Sequence, residues 1–178
     1  MKRLMTLLLI LAAGTALTAQ NLTRKEQIIL LYAEVDTFLS EDDPDSACPP
    51  LEKLIKLDKA NRSTLYLALG GIAEQKNETA KAVKYYKKAI SGNRKSHKAY
   101  YGMGALYYNQ AIETLNNAEN MQTDEPVRYA AEIKKGMALL KKAKPFLEKG
   151  FQLSDDADVF QSPLQTINRY LQAEKRSQ

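Results

Sequence analysis

Apolar residues recur along most of this chain at spacings of three and four, the period of an α-helix with one buried face. Ala82, Tyr86 and Ala89 are a clear case, because lysines occupy the positions between them. Strand-like alternation is absent, so the pattern predicts an all-α protein. The predicted helices cover residues 22–39, 47–57, 63–75, 79–91, 96–118, 125–153 and 162–176.

Capping and breaking residues set the predicted helix ends. Pro49 and Pro50 suit the first turn of the second helix, which places Cys48 near its start. Gly92 is placed to end the fourth helix as a C-terminal cap. Thr123 can cap the sixth helix, and Ser162 can cap the last one with Gln165 three residues on.

Part of this helical pattern repeats within the chain. Four positions recur 34 residues later: Tyr66, Leu69, Gly70 and Ala73 match Tyr100, Met103, Gly104 and Tyr107. Three positions of the following helix recur 61 residues later: Ala82, Tyr86 and Ala89 match Ala143, Leu147 and Gly150. The difference implies an insertion of 27 residues, which should lengthen both helices of the later pair. An antiparallel bundle with chance repetition is the alternative, but seven matching positions argue against it.

These residues resemble the tetratricopeptide repeat (TPR), in which an aromatic, leucine, glycine and a second aromatic mark the first helix of each pair. Ala73 departs from that pattern, because the family prefers tyrosine there. The resemblance implies a short right-handed solenoid of about three helix pairs with a solvating C-terminal helix. The implied units cover residues 25–59, 63–94 and 97–156, the last containing the insertion, and the cap covers 162–176.

The resemblance also implies a function, because TPR proteins usually hold a protein or peptide along the face lined by the first helices. The matching positions here form a candidate groove: Thr64, Leu67, Gly71, Glu74, Gln75, Lys98, Tyr101, Ala105, Tyr108 and Asn109. Tyr101 and Tyr108 could instead pack on a neighbouring helix or on the cap. The family's carboxylate clamp is not reproduced, since only Lys98 matches it while Ala68 and Gly102 replace polar clamp residues.

Residues 1–19 have the layout of a secretory signal peptide. Lys2 and Arg3 precede a short apolar run over residues 4–13, and small residues before Gln20 offer a cleavage site. An uncleaved membrane anchor is the alternative, but the run is shorter than a bilayer span requires. We therefore expect a mature domain of residues 20–178, periplasmic or secreted and without stable membrane insertion.

The candidate chemistry does not indicate an enzyme. Cys48 and His97 are the only cysteine and the only histidine, and the repeat places them two helix pairs apart. The acidic turns at residues 41–45 and 155–158 lack the features of a calcium loop, so we expect no metal or cofactor. The formal charge of +5 falls to +3 without the leader. Because the leader predicts export, we expect no nucleic-acid partner for the surface lysines. A non-catalytic binding scaffold is the favoured function, and a structural subunit acting through self-association is the alternative.

Overall fold

A computed structural model describes residues 22–119 and 126–176 of this chain, and all the regular structure in those ranges is helical. The helices are α1 (Arg24–Ser40), α2 (Pro44–Leu57), α3 (Arg62–Gln75), α4 (Thr79–Gly92), α5 (His97–Glu119), α6 (Pro126–Leu153) and α7 (Asp158–Arg176). They belong to two compact units, Met1–Lys59 and Ala60–Gln178. The leader and the cap proposed at Thr123 lie outside the described residues.

The first unit is one antiparallel helix pair. At the start of α1, the Glu26 carboxylate accepts a hydrogen bond of 2.8 Å from the Thr23 N–H, while the Thr23 hydroxyl accepts one from the Glu26 N–H. This reciprocal cap satisfies two backbone donors. The Thr23 hydroxyl also donates a hydrogen bond of 2.8 Å to the Glu26 carboxylate, and this bond, followed by the one from the Thr23 N–H, lowers the pKa of Glu26. The two helices share a small core of Val35, Ala47, Leu51 and Leu54. The Tyr32 hydroxyl adds a hydrogen bond of 3.0 Å to Asp58 just beyond α2.

Helix α2 begins earlier than its two adjacent prolines predicted. The Asp43 carboxylate accepts a hydrogen bond of 3.1 Å from the Ser46 N–H, and Pro44 takes the first helical position. That cap and that proline define the start of the helix. Proline has no N–H group, and the first helical position needs none for hydrogen bonding within the helix. Pro49 and Pro50 therefore lie inside the helix, so their assignment to its first turn was wrong.

The second unit contains two helix pairs and a final helix. Helices α3 and α4 each have 14 residues, whereas α5 has 23 and α6 has 28. The predicted lengthening of both helices of the later pair is thus confirmed. The two ends of α5 pack differently: Met103 and Leu106 join the core of α3 and α4, while Ala111 and Leu115 join that of α6 and α7.

Close contacts at two glycines show that the pairs are equivalent. A Cβ atom built on Gly70 would lie 2.6 Å from the ring of Tyr86, and one built on Gly104 would lie 2.6 Å from Leu147. These are the same positions in the two pairs. In both, the second helix places a large side chain directly on the glycine backbone of the first. Helices α3 and α5 therefore occupy equivalent places in successive pairs, as the repeat predicted.

Contacts of the Tyr86 ring also explain how the pairs stack. The ring lies on Gly70 of its own pair, and a Cβ atom on Gly102 of the next pair would be only 2.7 Å from it. Both glycines are buried. One side chain of α4 therefore fills the space between α3 and α5, and neither neighbour has room for a side chain there.

The two remaining helix ends differ from the sequence prediction. Gly92 is the last residue of α4 rather than a left-handed cap, since Asn93 has the capping role and no described glycine has a positive φ. A Cβ atom on Gly92 would lie 3.3 Å from that of Ser63, so the glycine serves close packing against α3 instead.

Helix α7 begins at Asp158 and not at Ser162, so the proposed serine cap was wrong. Phe160 is fully buried against α6, which draws residues 158–161 into the helix and leaves Pro163 inside it. Burial of a whole phenylalanine is worth about 1.5–3 kcal/mol, more than a serine cap contributes.

Candidate functional site

The candidate groove lies on two helices of the same unit. Helix α3 carries Thr64, Leu67, Gly71, Glu74 and Gln75, and α5 carries Lys98, Tyr101, Ala105, Tyr108 and Asn109. The two helices pack against each other, so the two sets lie on neighbouring elements in the same register. Five of these residues are exposed and the other five are half-buried; the exposed ones are Thr64, Gln75, Lys98, Tyr101 and Asn109.

Adjacent glycines in α3 separate the packed side of the helix from its open side. A Cβ atom on Gly70 would overlap the Tyr86 ring, whereas one on Gly71 would meet no heavy atom within 4 Å. The candidate groove is on the Gly71 side. The position beside Gly71 is therefore open space.

Glu74 has a structural partner. The Tyr86 hydroxyl donates a hydrogen bond of 2.6 Å to Glu74 Oε2, which links α4 back to α3. Burial of the tyrosine, helped by this bond, raises the pKa of Tyr86 well above its usual range. Glu74 thus stabilises the repeat and is less free to bind a ligand than its position implied. Leu67 likewise packs against the core around Tyr86.

The two groove tyrosines both pack within the unit. The ring of Tyr101 meets that of Phe160 edge to face, with centroids 5.3 Å apart and planes at 88°. Tyr108 packs against the core formed by α5, α6 and α7. Both tyrosines thus pack on neighbouring helices, which was the alternative to a binding role, although Tyr101 remains 37% exposed. Truncating either tyrosine would disturb packing as well as any binding.

Phe160 is a residue of this region that the sequence reasoning missed. It supports Tyr101 from α7, yet the predicted helix began two residues after it. The signal was available in the sequence, because Phe160, Leu164, Ile167 and Leu171 follow helical spacing.

The structure explains why a carboxylate clamp is absent. Its polar side chain on α5 would occupy position 102, where a Cβ atom already lies 2.7 Å from Tyr86. A longer side chain cannot fit without moving that ring. Lys98 remains as an exposed cation in the first turn of α5.

Cys48 and His97 belong to different helices, α2 and α5. The Cys48 thiol is half-buried in α2 and donates to the Pro44 carbonyl at 3.4 Å. His97 is half-buried and is the first residue of α5, one position after the predicted start of that helix. Within residues 22–119 and 126–176, no three His, Cys, Asp or Glu side chains are grouped to hold a metal ion. In the same ranges no helix is long and apolar enough to span a bilayer.

Comparison with known proteins bears on the fold. No protein-family model matches the sequence, and no curated protein matches it either. Among solved structures, the chain is similar to a TPR repeats protein from Bacteroides fragilis, with 23% identity and a TM-score of 0.57. The match covers 76% of this chain and 64% of that protein, which is less than two thirds of its length. The fold is therefore that of a TPR-like helical-repeat protein.

Proposed function

We propose that this chain is a non-catalytic scaffold that binds a protein or peptide along the candidate groove on α3 and α5. The observation that carries the proposal is the open space beside Gly71 on α3, together with the exposed Gln75 and Asn109 at equivalent positions one repeat apart. Recurring exposed positions let successive segments of an elongated ligand meet similar side chains. The TPR-like fold supports it, because helical repeats of this kind commonly serve as interaction scaffolds.

The exposed residues of the groove indicate the chemistry of the ligand. Gln75 and Asn109 offer side-chain amides at equivalent positions, and amides can both donate to and accept from a peptide backbone. Lys98 supplies an exposed cation, and the exposed part of Tyr101 supplies apolar area with a polar tip. An elongated peptide segment with an acidic residue opposite Lys98 fits this combination.

We further propose that the scaffold works in the cell envelope, in the periplasm or outside the cell. Support comes from residues 1–19, whose charged start, short apolar run and small-residue end are typical of a cleaved leader. N-terminal sequencing of the chain purified from the envelope tests this, with Gln20 expected as the first residue.

Capture experiments test the binding proposal. Mature chain is immobilised and exposed to solubilised cell envelope, alongside a groove variant that combines Thr64→Arg, Lys98→Glu and Asn109→Arg. All three residues are exposed, so the variant should keep its helicity and lose the captured protein. A matched control carries Ala131→Arg, Lys134→Glu and Gln152→Arg at exposed positions of α6, which leaves the net charge unchanged as the groove variant does, and it should keep the captured protein. Equal capture by the groove variant would refute the groove assignment.

The alternative, a structural subunit that acts by self-association, is favoured by a different observation. Three large apolar residues of α1 are well exposed: Ile29 at 67%, Leu30 at 43% and Leu39 at 46%. Apolar area of this kind on one helix is typical of a surface that another protein covers. Light scattering across a concentration series decides, because a strict monomer at every concentration excludes this alternative.

A further inference from the structure

The outward side of α4 carries a continuous face of lysines. The helix buries Ala82, Tyr86 and Ala89, and the opposite side carries Lys81, Lys84, Lys87 and Lys88. At 3.6 residues per turn, these four side chains cover about a third of the helix circumference. Arg94 and Lys95 follow directly after the helix. We call these six exposed residues the lysine face.

The charge of this region is unusually one-sided. Residues 79–112 contain seven lysines and arginines and no aspartate or glutamate. The mature chain has a formal charge of only +3, so the remainder of it is net acidic. A segment with this charge is attracted toward a negatively charged surface.

Few of these cations are neutralised within the protein. Across the described ranges 22–119 and 126–176, Lys81 alone in the lysine face has a carboxylate partner, Glu78 at 2.9 Å. Lys88 lies over the Tyr66 ring, 4.8 Å from its centroid. Lys84, Lys87, Arg94 and Lys95 extend into solvent and are available to an external anion.

The composition of the lysine face argues against a protein partner there. Protein interfaces are depleted in lysine and usually have an aromatic or aliphatic centre. In the described residues, the well-exposed large apolar side chains lie on α1, α5, α6 and α7. The lysine face therefore has charge without an apolar anchor.

A nucleic-acid partner is also a poor fit. Single-stranded binding needs free aromatic faces for base stacking, and base recognition relies heavily on arginine. The nearby rings of Tyr66 and Tyr85 stack on each other, with centroids 6.2 Å apart, and Lys88 covers Tyr66. The helix itself contains lysine and no arginine.

We propose that the lysine face holds this protein against the surface of a bilayer containing anionic phospholipids. A planar array of phosphate groups complements an exposed side of a helix that carries only cations. Binding of this kind requires no pocket and no inserted apolar residue. Clusters of four to eight basic residues on a helix are typical of this kind of electrostatic membrane binding. The candidate groove lies on α3 and α5, so membrane binding leaves it as a separate site.

Vesicle co-sedimentation with the mature chain tests the proposal. The chain is mixed with vesicles of phosphatidylcholine alone and with vesicles in which part of the lipid is phosphatidylglycerol. We expect binding only to the second kind. Raising the salt from about 0.1 M to about 1 M should abolish it, because the Debye length shortens from about 10 Å to about 3 Å.

Matched triple variants separate the contribution of the lysine face to vesicle binding from that of the net charge. Lys84→Gln, Lys87→Gln and Lys95→Gln should together weaken binding to the anionic vesicles by about two orders of magnitude. Lys134→Gln, Lys142→Gln and Lys149→Gln remove the same charge from exposed positions of α6 and should have a much smaller effect. Circular dichroism checks that both variants keep their helices.

Three results would overturn the proposal. The first is no binding of the wild-type chain to anionic vesicles at low salt, and the second is equal loss by the two triple variants. The third is tighter binding to heparin or to duplex DNA than to the vesicles, which would assign the lysine face to another polyanion. Capture through the candidate groove is measured without vesicles. A failure of the membrane-binding proposal is therefore distinguishable from a failure of the proposed scaffold function.

Discussion

The ring of Tyr86 lies directly on the backbone of Gly70, so close that a Cβ atom there would be 2.6 Å from two ring carbons. The same ring also lies against Gly102, where a Cβ atom would be 2.7 Å from it. Tyr86 is 3% exposed, and its hydroxyl is bonded to Glu74. The aromatic ring thus joins two helix pairs, and it has little freedom to move away from either glycine.

Substituting Gly70 with alanine should therefore destabilise the protein. The change gains about 1 kcal/mol of helix propensity. Overpacking against a ring that cannot retreat costs about 1–3 kcal/mol and rises when the neighbours are rigid, so the overlap should dominate. Thermal unfolding should show a lower Tm, by about 2–4 °C per kcal/mol of net loss.

Gly71→Ala is the matched control, one residue further along the same helix. A Cβ atom there meets nothing, so only the propensity gain of about 1 kcal/mol remains and Tm should hold or rise. Similar Tm values for the two variants would contradict the close packing between α3 and α4.

Tyr86→Phe should change the alkaline stability of the protein in a defined direction. The pKa of Tyr86 is raised in the folded state, so its hydroxyl ionises in the unfolded chain first, at about pH 10. The stability from the neutral hydroxyl is fully present below pH 10 and is lost as the pH rises beyond it, at up to about 1.4 kcal/mol per pH unit.

At pH 7 the variant should be less stable than wild type by about 1–3 kcal/mol, because it lacks the hydrogen bond to Glu74. Urea denaturation at several pH values should show this difference shrinking between pH 10 and 12. A difference that stays constant over that interval would mean that the Tyr86 pKa is not raised in the folded state.

Phe160→Ala should loosen the final helix. The side chain is fully buried and supports Tyr101, and truncating a buried phenylalanine costs about 3–5 kcal/mol. We expect early proteolysis within α7 and a lower unfolding midpoint. Val159→Ala is the control, since Val159 is 52% exposed and should change little. Equal protease sensitivity of the two variants would count against Phe160 as the anchor of α7.

Ser162→Ala tests the corrected start of that helix. Ser162 is exposed and lies inside α7, so alanine should be neutral or slightly stabilising there. A helix that began at a serine cap would instead lose about 1 kcal/mol on this change. Chemical denaturation distinguishes the two outcomes.

Most of the fold was predictable from the sequence because its local signals agree with its packing. Gly70 and Gly104 are 34 residues apart in the repeat, and each lies against a large side chain of the following helix. Helices α5 and α6 are longer than α3 and α4, as the offsets of 34 and 61 implied. Errors arose at helix ends, where Phe160 burial outweighed a serine cap and Asp43 capped α2 ahead of the two prolines.

The candidate groove was harder to predict, because spacing alone does not say which partners a side chain finds. Glu74 shares the register of the groove but is bonded to Tyr86, and Tyr101 packs on a phenylalanine 59 positions away in sequence. Such contacts depend on where α4 and α7 lie. The exposed residues Gln75, Lys98 and Asn109 are consequently better probes of binding than the tyrosines.

The binding claim is tested most directly by photo-crosslinking from inside the candidate groove. A photoreactive amino acid is placed at Gln75 or at Lys98, and as controls at Glu52 on α2 or Lys142 on α6, all exposed positions. After irradiation in intact cells, the account predicts one discrete adduct with another protein from both groove positions and not from the controls. Adducts that are absent, or that form equally from all four positions, would contradict it.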